Sequence, residues 1–360
     1  MIEISCVVGA RPNFIKLAAL IAEFGHRPCF HVRLIHTGQH FSPEMSQAFF
    51  DDLGLSQPDV NLEVGGGTGT VQTAEVMKRI EPVLLEQRPN VLIVVGDVNS
   101  TLAAALVAAK LGIRVAHVEA GLRSFDRGMP EEINRVLTDA ISDLLFVSEP
   151  AGIANLVAEG VPRERIHFVG NVMIDTLLRS RDRASHSSIL KQLGVRPKEY
   201  GVVTLHRPSN VDSPEQLAAL FEVLAKLARR LPLVFPAHPR TRGRMEAAGL
   251  TAPDLLVTGP LGYYDFLRLM SESRLVLTDS GGIQEETTIL GVACLTLRGN
   301  TERPVTIAKG TNRLVGTDPA RILEAALETL ASNGTHANVP ELWDGKAAAR
   351  IADVLERSLS

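Results

Sequence analysis

The stretch RLVLTDSGGIQEET, residues 274–287, carries the plainest signature of architecture in the chain. Leu275 to Thr278 form an apolar run too short for a helix, and after Asp279 and Ser280 come two adjacent glycines, Gly281 and Gly282. A buried strand that ends in a glycine turn and enters a helix is the building unit of an open parallel sheet. Backbone N–H groups in such a turn, at the positive end of a helix dipole, suit an anion such as a phosphate. Yet Glu285 and Glu286 follow at once, which is a poor choice beside a bare phosphate.

The same alternation runs outward along the chain. IEISCVV, HVRLIHT, VLIVVGD, IRVAHVEA and LLFVS punctuate the first part, and GVVTLH, PLVFPAH, LLVTG, RLVLTDS and ACLTL the second. Continuous apolar strands separated by helical patterns imply parallel sheets covered on both faces, and two such series imply two Rossmann-like doubly wound α/β domains. The charged, serine-containing segment 177–200 separates the series, so the expected division is residues 1–176 and 177–360. The amphipathic stretch at about 345–360 reads as a final helix able to pack back on the first domain. GGGTGT, residues 65–70, reads as a turn before a helix.

Composition narrows the function classes. The 360 residues are 45% apolar and 22% charged, with a formal net charge of -4, which argues against a general nucleic-acid or membrane-surface binder. Cys6, Cys29 and Cys294 form neither a disulfide framework nor a CxxC pair. The N-terminal MIEISCVVGARP reads as a strand and turn rather than a leader, and TLAAALVAAKLG is broken by Lys110. The expectation is a reducing, cytoplasmic setting with neither a nucleic acid nor a membrane as partner.

In open α/β sheets ligands bind beyond the carboxyl ends of the strands. There this chain carries GARPNFIK with Arg11 and Lys16, then TGQH, GDVNST with Asp97, HVEAGLRS with Glu119, and PEEINR with Glu131. The second series carries TLHRPSN with His206 and Arg207, AHPRTR with His238, TGPLGYYDF with Phe266, and TDSGGIQEE. Taken singly, Asp97 reads as a helix cap, PEEINR as an ordinary first turn, and His206 as a structural histidine. Taken together, carboxylates gather at strand ends of the first series, and cations with a glycine turn at those of the second.

These motifs, with GNVMIDTL, NTERPVT and GTNRLVG, are similar over nearly the whole chain to those of the non-hydrolysing UDP-N-acetylglucosamine 2-epimerases. The resemblance implies a glycosyltransferase-B-like pair of domains facing an interdomain cleft, assembled as a homodimer, with UDP held mainly by the second domain. It implies inversion of the 2-position of UDP-N-acetylglucosamine to give UDP-N-acetylmannosamine, for cell-surface polysaccharide precursors, with no nicotinamide, other cofactor or metal. The route it implies is elimination of UDP to a 2-acetamidoglucal and re-addition with protonation on the opposite face.

By the same resemblance Asp97, Glu119 and Glu131 match the catalytic carboxylates, and His206 matches the histidine near the leaving diphosphate. Arg11, Lys16 and Arg303 match groups that bind or neutralise the nucleotide. Ser280, Gly281 and Gly282 match the diphosphate turn, Glu286 the acceptor for the ribose hydroxyls, and Phe266 the flank of the uracil. A carboxylate directed at neutral hydroxyls accounts for an acid in the phosphate turn. Glu285 is expected to be structural or exposed. Some relatives are activated by a second substrate molecule, and Gln39, His40, Arg207 and His238 are the corresponding regulatory candidates. FSPEMS departs from the activated pattern, so weak or absent activation is expected. Val305 after Pro304, a familiar variant, leaves the decoration of the sugar open, since relatives act on UDP-2,3-diacetamido-2,3-dideoxyglucuronate. A glycosyltransferase would differ by transferring the sugar to an acceptor. A silent UDP-sugar sensor would tolerate loss of the three carboxylates.

Overall fold

The computed structural model describes residues 1–38, 50, 52–332 and 338–359. The chain divides into two compact units, Met1–Arg179 with Glu341–Ser360, and Ser180–Pro340. Each is a parallel sheet between helices, the doubly wound architecture that the apolar runs imply.

In the first unit β1 (Ile2–Val8), β2 (Phe30–His36), β3 (Val60–Asn61), β4 (Val91–Val95), β5 (Arg114–Ala120), β6 (Leu144–Val147) and β7 (Ile166–Phe168) form one sheet. Its order is β3-β2-β1-β4-β5-β6-β7. All of β4 is buried, as an unbroken Val/Leu/Ile run requires when both faces are covered. Val76, Ile80 and Leu84 from the helix Gly69–Gln87, with Ala103, Ala104 and Val107 from Asn99–Lys110, pack on Leu92, Val94 and Val115. Side chains as small as alanine let the second of these helices lie close to the sheet.

In the second unit β8 (Gly201–Thr204), β9 (Leu233–Pro236), β10 (Leu255–Thr258), β11 (Leu275–Thr278), β12 (Ala293–Thr296) and β13 (Asn312–Leu314) follow the order β10-β9-β8-β11-β12-β13. Leu220, Phe221, Leu224 and Leu227 of the helix Pro214–Ala228 recur at helical spacing and join Ile322 and Ala326 of Pro319–Ala331 over Val203, Phe235, Leu277 and Leu295. Each fully buried large apolar side chain contributes about 1.5–3 kcal/mol. The segment 177–200 contributes the end of the helix Val172–Ser185 and the short helix Ile189–Leu193.

The last twenty residues, Glu341–Ser360, are part of the first unit. Buried Trp343 donates its indole N–H to the Ser148 carbonyl at 2.8 Å. The helix Ala347–Leu359 packs on Arg11–Gly25, and its Ala348 N–H is accepted by Asp175 at 2.7 Å.

Both sheets reverse direction at one point, between β1 and β4 and between β8 and β11. Just beyond the carboxyl ends of these four strands lie Gly9–Lys16, Gly96–Asp97, Leu205–Arg207 and Asp279–Gly282. The two crevices that the winding opens are thus lined by the motifs singled out from the sequence.

Candidate active site

In the first unit Asp97 follows β4, Glu119 lies in β5, and Glu131 opens the helix Pro130–Ile141 after Pro130. β5 slips its register against β6 between Val118 and Ala120, and Glu119 at the slip adopts φ 74°. A non-glycine residue in the left-handed region costs about 1–3 kcal/mol and persists only where its surroundings impose it. The bulge keeps the Glu119 carboxylate beside Lys16, with which it forms a buried ion pair. That pair lies against Gly96, where an added Cβ would stand 2.8 Å from Lys16 Nζ and 3.3 Å from Glu119 Oε2. Gly96 is therefore small because two charged groups use its space, and the next residue is Asp97.

Asp97 is ion-paired with buried Arg135, which also pairs with Glu132. Asn134 donates to the Asp97 carbonyl at 2.9 Å and to Asn99 Oδ1 at 3.2 Å. The turn that carries Glu131 is thus tied to the strand end that carries Asp97. Glu132 accepts from Ser124 N–H, Ser124 O–H and Phe125 N–H, each at 2.9 Å. Burial opposes its ionisation, but these donors and Arg135 outweigh it and hold the carboxyl below the usual range. Of the two adjacent acids Glu132 is the buried strut, whereas Glu131 is half-buried.

In the second unit Asp279, wholly buried at the end of β11, organises the loop after β8. It accepts from His206 N–H at 3.1 Å, Arg207 N–H at 2.9 Å and Asn210 Nδ2 at 3.0 Å, and faces His206 Nδ1 at 2.9 Å. Burial acts to raise its pKa, yet His206 and the Asn210 and Arg207 donors together hold it below the usual value. The His206 side chain itself is about half exposed. An exposed ring held through one nitrogen by a buried carboxylate is oriented, with the other nitrogen directed elsewhere.

The glycine turn follows Asp279. Ser280 stands at the N-cap position of the helix Gly281–Leu290 without a side-chain capping bond, and its N–H donates to Thr278 Oγ1 at 2.9 Å. An added Cβ at Gly281 would run into the guanidinium of Arg303 and into Glu302. Arg303 is buried: its Nε lies 3.0 Å from Glu285 Oε1, and its Nη1 donates to Glu302 at 2.5 Å. Arg298 reaches Glu302 at 2.8 Å. Glu285 is therefore buried and structural, not exposed. Gln284 accepts from Thr301 at 2.7 Å and Asn312 at 3.1 Å, which ties the NTERPVT and GTNRLVG segments beneath the turn.

Glu286 is buried, with Tyr263 O–H at 3.5 Å. Burial first, and the Glu285 charge second, push its carboxyl up to about 8. Phe266 is half-buried on the helix Tyr263–Ser271 and is not part of the central cluster. Arg207 Nη2 is 3.9 Å from Glu302, and exposed His238 accepts from Arg240 N–H at 3.2 Å. Arg11 heads its helix, but its side chain is outside the described set, as are Gln39 and His40 altogether. Among the described residues no group of three or more His, Cys, Asp or Glu is arranged for a metal.

The arrangement places carboxylates at one crevice and a glycine turn opening a helix at the other. The chain matches the UDP-N-acetylglucosamine 2-epimerase family over residues 22–356. It belongs to that family. A UDP-N-acetylglucosamine 2-epimerase of Methanococcus maripaludis is 40% identical over 365 residues, covering 99% of this chain and 98% of that one. A UDP-2,3-diacetamido-2,3-dideoxy-D-glucuronate 2-epimerase of Pseudomonas aeruginosa is also 40% identical, over 99% of both chains. The crystal structure of the Methanocaldococcus jannaschii UDP-GlcNAc 2-epimerase in complex with UDP-GlcNAc and UDP superposes with a TM-score of 0.93 at 40% identity, covering 99% of this chain and 100% of that one. The pair of doubly wound domains is thus the architecture of the epimerase family.

The supports of the strand-end residues are not apparent from sequence. Glu132, Arg135, His117 and Asp279 lie within the same motifs with nothing to mark them as struts, Asp139 lies outside every motif, and only their hydrogen bonds distinguish them. The one available signal was the run of charged residues in TDSGGIQEE and PEEINR, which exceeds what a solvent-facing first turn needs.

Proposed function

We propose that this chain is a non-hydrolysing 2-epimerase that interconverts UDP-N-acetylglucosamine and UDP-N-acetylmannosamine. The observation that supports it most is Glu119, a buried carboxylate in a left-handed bulge and paired with Lys16, on a chain similar in full to epimerases. No carbonyl is attached to C2 of the sugar, so its proton is not acidic enough for direct removal. Loss of that proton with departure of UDP from C1 gives a 2-acetamidoglucal, and UDP re-adds as C2 is protonated from the other face. Asp97, Glu119 and Glu131 are the acid/base groups in this reading, because opposite faces require more than one.

The second unit holds the nucleotide in the same reading. Ser280, Gly281 and Gly282 present backbone donors to the diphosphate, Glu286 meets the ribose hydroxyls, and Phe266 flanks the uracil. His206, oriented by Asp279, supplies a hydrogen bond or proton to the leaving diphosphate, with Arg303 and Arg11 adding positive charge. Lys16 is better supported as the partner of Glu119 than as a phosphate ligand. We read the enzyme as a cytoplasmic homodimer, testable by light scattering. No described helix is long and apolar enough to cross a membrane. Substrate activation through Arg207 and His238 is read as weak or absent; a hyperbolic dependence of initial rate on substrate would support that, and a sigmoidal one would count against it.

The equal identity to the diacetamido-glucuronate epimerase favours a second reading in which the sugar is so decorated. The deciding experiment incubates each UDP-sugar with the enzyme in heavy water and follows it by proton NMR. Deuterium at C2 with a manno UDP-sugar accumulating supports the reading and identifies the substrate. Free N-acetylmannosamine, or no exchange with either sugar, overturns it.

A further inference from the structure

We propose that Asp139 and His117 are a positioning pair for all three carboxylates of the first unit, an inference that rests on the epimerase reading above. Asp139 lies on the last turn of the helix Pro130–Ile141, and its side chain and that of His117 are 1% and 0% exposed. Neither touches the crevice surface, and nothing in the reaction as described uses either one.

Their hydrogen bonds reach the backbone beside Asp97 and around Glu119, and the helix of Asp139 carries Glu131. Asp139 Oδ1 lies 2.6 Å from His117 Nδ1, and His117 Nε2 lies 2.8 Å from the Gly96 carbonyl. A carbonyl only accepts, so Nε2 donates to Gly96, while the Asp139 carboxylate, also an acceptor, anchors the ring at Nδ1. Asp139 Oδ2 accepts from Gly121 N–H at 3.0 Å and from Arg123 Nη1 at 2.7 Å. Arg123 is held in turn by a two-point contact with Glu159, at 2.7 and 2.6 Å.

The consequence is geometric. Gly96 is the residue before Asp97, so the His117 bond fixes the peptide from which Asp97 projects. His117 and Gly121 stand two residues either side of Glu119, so one carboxylate holds both ends of the strained bulge. Glu131 is on the same helix as Asp139, and Asn134 and Arg135 tie that helix back to Asp97. A left-handed glutamate is kept by such over-determination, and a loose bulge would let its carboxylate turn away from the substrate. Buried charge of this density is a poor source of stability compared with apolar packing, which leaves positioning as its use.

The test compares Asp139→Asn, His117→Gln and His117→Ala with a control, Asp143→Asn. Asp143 accepts Val115 N–H at 2.8 Å at the far end of the same strand, away from the carboxylates. The expected result for Asp139→Asn is a fall in kcat of about 10–100-fold, by analogy with groups that orient the ligands of a metal, with KM and UDP affinity within twofold of wild type. His117→Gln, which keeps a donor toward Gly96, should recover much of what His117→Ala loses, while Asp143→Asn should keep wild-type kcat. Wild-type kcat in Asp139→Asn, or an equal loss in the control, overturns the proposal. Should Asp139→Asn fail to fold, His117→Gln no better than His117→Ala overturns it. A wild-type enzyme without C2 exchange on either UDP-sugar overturns the functional reading and this role with it, whereas exchange by wild type and variants alike overturns only the role.

Discussion

Arg303 Nε lies 3.0 Å from Glu285 Oε1 with both side chains buried, so the acid that seemed misplaced in a phosphate turn is the counter-ion of a neighbouring arginine. Removing one member of a buried pair strands the other charge, at a cost of about 3–5 kcal/mol. Arg303→Ala should therefore lower thermal stability as well as UDP affinity, the latter by about 1.5–3 kcal/mol for one charge-assisted bond. Calorimetry with and without UDP separates the two effects. A variant that loses stability but binds UDP normally would make Arg303 a structural residue only.

Glu286 gives the second unit a pH signature. Its folded-state pKa, about 8, is above the ordinary 4.5, so the unliganded fold favours the protonated form. The stability tied to that proton is fully present below about 4.5 and is lost as pH rises through about 8. Between pH 5 and 8.5 the unliganded wild type should lose stability relative to Glu286→Gln, which carries no proton to lose. Parallel melting curves for the two across that range would remove Glu286 from the effect.

Glu119→Gln keeps the shape of the bulge and removes the charge. Turnover should fall by about 10²–10⁴-fold, the span of one acid/base group, with UDP affinity unchanged because the glycine turn is untouched. Normal C2 exchange in this variant would exclude Glu119 from proton transfer.

Asp279→Ala withdraws four contacts from the loop carrying His206 and Arg207. The buried donors left behind cost about 1–3 kcal/mol each. Lower kcat and a mobile His206 ring by NMR are expected. An unchanged His206 resonance would mean that other groups orient the ring.

The legible part of this molecule is the part written in short-range pattern. Buried strands such as VLIVV have the β period erased by apolar residues on both faces, so they stand out against amphipathic helices such as Pro214–Ala228. β3, β7 and β13 do not stand out, since they are two or three residues long and only partly buried. Asp97 and Glu119 were nameable because they end or interrupt such strands. Asp139 was not, because its partners are 16 to 22 residues away and a carboxylate in the last turn of a helix looks ordinary until His117 is placed against it. Glu285 and Glu286 are adjacent and chemically alike, and only their three-dimensional surroundings, Arg303 beside the first and burial with the Glu285 charge around the second, separate an ion pair from a carboxyl whose pKa is raised.

The return of Glu341–Ser360 to the first unit bears on the order in which the protein is made. Synthesis delivers residues 180–340 as an uninterrupted segment, able to close its sheet while the chain is still growing. The first unit has its seven strands before then, yet the indole that donates to the Ser148 carbonyl and the helix whose Ala348 N–H meets Asp175 are made only after residues 180–340. The earlier-made half of the enzyme is thus the later one to be finished.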